Sequence, residues 1–242
     1  MKKIKFFVLA ILIIIGLLIF NFYISFSYGS FGGFLAQYRT LPKEEKLELL
    51  RSDAIKQIAQ AHADFSSFTG LTLYEETYSD MCAKGEHSWK IDDLYANTCS
   101  YRLTRYYGTN REYKELLLDL EKTLPDFGWA IESWGTEQPT ISESISEYSG
   151  EIFLVELPVY TKKISDNNTY NYAHLTINGF NGYGGTWTKT SKEPSPLGFG
   201  IGMQQEVYRN ESNKSPKEIF NRITSSGLNV IMIAISKVYF EN

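Results

Sequence analysis

The chain has 242 residues, 43% of them hydrophobic and 21% charged, a composition that excludes intrinsic disorder and fits a folded domain. Its formal net charge is −4 at pH 7, and no Lys/Arg cluster follows the first five residues. A nucleic-acid binder that works through a basic patch is thereby excluded.

The chain opens MKKIK, read as a cytoplasmic tip over residues 1–5, followed by an uncharged run from Phe6 to Phe26. At ~1.5 Å per residue that run covers about 30 Å, enough to cross the hydrocarbon core of a bilayer. Lys2, Lys3 and Lys5 precede it, and the next basic residue is Arg39. The positive-inside rule then puts the N-terminus in the cytoplasm and the rest of the chain outside, with 6–26 as a transmembrane signal anchor. The rival is a cleaved signal peptide, with Ser27-Tyr28-Gly29 as a small-x-small cleavage site and a secreted product. The apolar run is longer than a signal-peptide core, which favours the anchor. Residues 1–33 hold three lysines and no acid, so the exported part carries a charge of about −7.

Residues 27–40 read as a short Gly/Ser/aromatic stalk, and 41–242 as one extracytoplasmic domain. A helix is expected from Thr40 as N-cap, with Pro42, Glu44 and Glu45 in its first turn. Leu47, Leu50, Ala54, Ile58, Ala61 and Phe65 form its apolar stripe, and His62 is read as a flanking, partly buried or surface histidine. A strand from Leu71 leads to Cys82, and another follows Cys99 through SYRLTRYYG. A second helix opens at Thr109 or Asn110, buries Tyr113, Leu116, Leu117, Leu120 and Leu124, and ends at Pro125–Gly128.

WAIESW and EIFLVELPVY read as strands, the second with an edge or bulge at Pro158. Between them lies an acidic Ser/Thr-rich loop. TKKISDNNTYN reads as a polar turn and YAHLTING as its return strand. Ser215-Pro216 starts the last helix, Gly227 stops it, and LNVIMIAISKVYF closes the chain as a strand interior to the sheet. The fold class is thus α+β: an N-terminal transmembrane helix, then an antiparallel-sheet domain with three helices. From residue 98 the element order matches a ferredoxin-like unit carrying residues 161–214 as an insertion.

Cys82 and Cys99 are the only cysteines. In an oxidising compartment they are expected to pair as a disulfide that closes an excursion of a β-hairpin. A zinc site would need a fourth ligand beside Cys82, His87 and Cys99, and a thioredoxin-like pair would need C-x-x-C, so no metal or cofactor is expected. Trp89 and Tyr95 in the loop either pack beneath it or line a ligand surface. In the Gly/aromatic stretch 178–202, Phe180, Tyr183, Trp187 and Phe199 read as packed strand residues or as an aromatic platform. No G-x-S-x-G, H-E-x-x-H or phosphate-loop pattern occurs.

Cys82, Ser88-Trp89-Lys90, Asp93, Tyr95-Ala96, Cys99, Arg102, Tyr106-Tyr107-Gly108 and Gly128-Trp129 together give this stretch a distinctive pattern. It resembles uncharacterised membrane-anchored or secreted proteins of Gram-positive-type bacteria, over roughly a fifth of the chain. The resemblance implies paired cysteines and an extracytoplasmic location, and carries no activity. The expected function is a non-enzymatic, membrane-anchored binding module at the cell surface. Trp89, Tyr95, Tyr183 and Trp187 are its candidate contacts, and an envelope protein, peptide or glycan its partner. The alternative is a cell-envelope hydrolase working on glycan or peptide through Glu86, Asp92 or Asp93.

Overall fold

Lys2–Tyr28 is one continuous helix, α1, of 27 residues and about 40 Å. Between Ile11 and Phe26 every side chain except Ile24 is exposed, as an apolar run with no polar face requires once no protein packs around it. It is long and apolar enough to cross a membrane. The computed structural model describes residues 2–28, 30–36, 38–85, 95–131, 140, 142, 160–163, 172–180 and 206–242. Outside these lie His87, Trp89, Asp92, Asp93, Pro158, Tyr183, Trp187 and Phe199, with nearly all of the acidic loop and of EIFLVELPVY.

The stalk is built around a second short helix, α2 (Phe31–Ala36), which packs on the end of α1. Helix α3 (Glu44–His62) follows. Its N-cap is Lys43 rather than Thr40, because Pro42 holds the chain extended ahead of the first turn. Strands β1 (Thr72–Lys84) and β2 (Asn97–Thr109) form a long antiparallel hairpin. Thr109 is the last residue of β2, so helix α4 (Tyr113–Thr123) starts later than its capping residues suggest. A 3-10 turn, Leu124–Phe127, ends at Gly128, whose φ of 82° lies in the left-handed region that favours glycine.

The remaining strands are β3 (Ala130–Ile131), β4 (Tyr160–Lys163), β5 (Tyr172–Phe180), β6 (Glu206–Glu211) and β7 (Asn229–Glu241). Helix α5 (Pro216–Thr224) precedes β7, with Ser215 at its N-cap and Pro216 in its first turn. Thr161–Lys163, expected in a turn, lie in β4, and β6 falls in the expected insertion.

The seven strands among the described residues form one antiparallel sheet in the order β3-β4-β5-β7-β2-β1-β6. A ferredoxin-like order would leave β7 at an edge and set β2 beside the strand that follows β3. Instead β7 is central, between β5 and β2, and β1 takes the other flank of β2. The apolar-on-both-faces pattern of β7 has this cause. Alternate residues point to opposite faces, so Ile231, Ile233 and Ile235 meet α3 and α4 while Val230 meets α5. Tyr107 and Tyr106 of β2 divide in the same way.

Candidate functional site

Several places on the described surface and core carry chemistry, each built where neighbouring elements meet. The first is the hairpin root. Cys82 and Cys99 stand directly opposite in the β1–β2 register and are joined by a disulfide, both fully buried. Beyond them Gly85 N–H donates to the carbonyl of Ala96 at 2.9 Å. A Cβ on Gly85 would sit 2.1 Å from the Tyr95 carbonyl oxygen, so this approach admits only glycine. Half-buried Tyr95 lays its ring against Gly85.

Directly above the disulfide is a buried ionic cluster that sequence reasoning missed. Arg51 of α3 points at β1 and brings its Nε to 2.6 Å from Asp80 Oδ2. Tyr239 of β7 donates its hydroxyl to Asp80 Oδ1 at 2.8 Å, and lies 3.7 Å from Cys82 Sγ. Arg51 also sits 4.9 Å above the ring of Tyr208 and contacts Glu48. Asp80 is 2% exposed and Arg51 9%. Burial works against the Arg51 charge, but Asp80 and the Tyr239 hydroxyl offset it and raise its pKa above the ordinary value. Burial, together with the bond to Asp80, pushes the Tyr239 hydroxyl up, so it stays a protonated donor. The signal was present in the sequence: Arg51 falls on the Leu47–Ala54–Ile58 stripe, where a charge must find a partner inside.

His62 lies on the same stripe, one turn beyond Ile58, and is fully buried rather than flanking. Its Nε2 donates to the carbonyl of Leu103 at 3.0 Å, which leaves Nδ1 buried with no partner. Burial lowers its pKa to about 4. The unfolded chain takes up this proton near pH 6.5 and the native state does not, so the contribution to stability is full above about 6.5 and declines as pH falls towards 4. Between pH 7 and 4.5 the cost is about 2.5 kcal/mol. His62→Gln keeps a donor for Leu103 and cannot titrate. Its denaturation midpoints should lose that much of the pH dependence, and identical pH profiles for the two proteins would contradict the assignment.

A shallow cleft of about 280 Å³ lies between the turn after α3 and α4, lined by Phe68, Thr69, Arg111, Asp119, Lys122, Thr123 and Phe127. Its carboxylate is committed: Arg111 bonds Asp119 and holds its pKa below the usual carboxylate value. Asp119 is therefore anionic at neutral pH and has no proton to give as a general acid. On β1, Glu75 is bound by Lys214 and Arg222, which hold its carboxyl down at about 2. Asp64 accepts from Trp129 Nε1 at 3.0 Å and from Lys162 at 2.7 Å, joining the turn after α3 to β3 and β4. Among the described residues no group of three or more His, Cys, Asp or Glu side chains gathers as metal ligands would.

The last place is the face of the sheet opposite α3. There Arg102 is exposed beside Tyr106 and, among the described residues, pairs with no carboxylate. Thr104 and Ser236 lie on the same face, the latter across the β2–β7 register from Arg102. Of the sequence-predicted positions, the structure brings together Cys82, Cys99 and Tyr95, and His174 pairs with Ser236 in β5. Trp89, Tyr183, Trp187 and the acidic candidates lie outside the described residues. No family model, curated protein or solved structure matches the chain.

Proposed function

We propose that the chain is a single-pass membrane protein whose N-terminus is cytoplasmic and whose α+β domain is a non-enzymatic binding module at the cell surface. The observation that carries the reading is the state of the cleft: its carboxylate is ion-paired, held anionic and, among the described residues, is the one carboxyl lining that space. Glycan hydrolysis needs two facing carboxyls, one of which keeps a proton. The exposed α1 and the lysines at its start support the anchor and its orientation. The aromatic residues Trp89, Tyr95, Tyr183 and Trp187 are the proposed contacts for an envelope protein, peptide or glycan.

The test uses full-length protein in detergent micelles, mixed separately with isolated envelope glycan and envelope peptide fractions. Saturable retention of one fraction is expected, without new reducing ends or free amines. Trp89→Ala or Trp187→Ala should weaken it at least fivefold. Product release that disappears in Asp92→Ala or Asp93→Ala, with the fold intact, would replace the binding module by a hydrolase.

A further inference from the structure

We infer that the end of the sheet carrying the hairpin root is a lipid-contacting surface seated on the outer headgroup layer; this rests on α1 being a membrane anchor. Three distant parts of the chain meet there. Asn97, at the start of β2 and 2% exposed, donates its side-chain amide to the carbonyl of Arg39 at 3.2 Å and to Asn242 Oδ1 at 2.9 Å. Asn242 in turn donates to the carbonyl of Thr40 at 3.0 Å. Lys84 is the β1 partner of Asn97. The stalk therefore ends against the hairpin root, not at some other edge of the domain.

The stalk is also too short and too folded to lift that end away from the bilayer. The Phe34 ring of α2 lies 6.5 Å from Phe20 and 5.3 Å from Tyr28, both on α1, and Tyr38 lies 5.7 Å from Phe34. Ile24 is buried at this contact, so α2 runs back along the last turns of α1. A ~30 Å hydrocarbon layer that begins after Lys5 ends about twenty residues later, near Ile24. The aromatic collar then lies in the interface, where Tyr side chains partition. Arg39 and Thr40 follow it at headgroup level, and the bonds to Asn97 and Asn242 bring the sheet end down beside them.

That end carries charges of both signs: Glu206 stands opposite Ala83 and Glu241 opposite Thr98, while Arg39 and Lys84 are the cations nearest the stalk. Tyr38 is 67% exposed and Arg39 is exposed. Among the described residues neither Arg39 nor Lys84 has an ion-pair partner in its side chain. A cation is drawn to headgroup phosphates within about a Debye length. That is weak for a free domain, but the anchor supplies a high effective concentration. The opposite end of the sheet, at Thr109 and Asn229, lies about 40 Å from the hairpin root along the strands at ~3.3 Å per residue.

Photo-crosslinking of the full chain in phosphatidylcholine–phosphatidylglycerol vesicles tests this. Benzoylphenylalanine is placed singly at Ile14 in the span, at Lys84 and Tyr95 at the hairpin root, and at Asn110 at the far end. Disulfide formation in each variant checks its fold, and Lys84 covers the case in which Tyr95 cannot be replaced. Lipid adducts are expected at Ile14 and at a root position, with the root at least fivefold above Asn110. Labelling at Ile14 with the root no higher than Asn110 would overturn the inference and leave the anchor standing. No lipid adduct at Ile14 would overturn the anchor itself. Protein rather than lipid adducts at the root would show that a polypeptide covers this end, and would also overturn it.

Discussion

Asp80→Ala should lower the free energy of unfolding by about 3 kcal/mol, because it removes the buried counter-ion of the Arg51 guanidinium and leaves it only the exposed Glu48 and Glu44. Tyr239 loses its acceptor in the same substitution, and a buried hydroxyl without a partner costs a further kcal/mol or so. The attraction itself is not the source of the effect. Two charges desolvated together roughly break even, and it is the orphaned one that destabilises. The double variant Arg51→Met/Asp80→Leu should therefore recover most of the loss, with a large coupling energy in the double-mutant cycle. Denaturant unfolding of full-length protein, followed by tryptophan fluorescence, reads both. A loss within about 0.5 kcal/mol for Asp80→Ala would mean that Arg51 reaches water through the Glu48 side of α3.

The Cys82→Ser/Cys99→Ser double variant should cost about 3 kcal/mol, on the loop-entropy argument for a closed loop of this size. The bond joins strands already paired along their whole length, so its removal should act on the loop end of the hairpin first. Amide hydrogen exchange should accelerate at Lys84, Gly85, Ala96 and Asn97 well before it does at Thr104. Uniform acceleration along β1 and β2 would instead mark the bond as a brace for the whole sheet. Free-thiol titration of the native protein supplies the control, since two reactive thiols would refute the pairing.

The two predictions adjoin in space, because Tyr239 touches both the Asp80 carboxylate and Cys82. That adjacency was only half legible. The cysteines announce themselves by scarcity and compartment, and the strands around them by aromatic and β-branched content. Arg51, Asp80 and Tyr239 are 29 and 159 residues apart along the chain, and no local pattern links them. The interior place of β7 could be read from its apolar run, but strand order could not, since ferredoxin-like and observed orders share the same string of elements. Strand β6 escaped because EVYRNE is polar, as an edge strand with one flank outside the ladder can be. The disulfide that closes the hairpin is legible in the two cysteines. Its position beside the stalk depends on Asn97 and Asn242, which carry no such signature.

The central place of β7 sets the timing of assembly. Residues 229–241 leave the ribosome after the other described strands, yet they join β5 to β2 and supply three isoleucines to the core shared with α3 and α4. Until then β1, β2 and β6 on one side have no ladder to β3, β4 and β5 on the other. Until β7 arrives the domain is therefore incomplete, with the inner edges of two half-sheets open. Whatever guards those edges during the wait, a chaperone or the speed of synthesis, governs the yield of folded protein as strongly as any contact in the finished sheet.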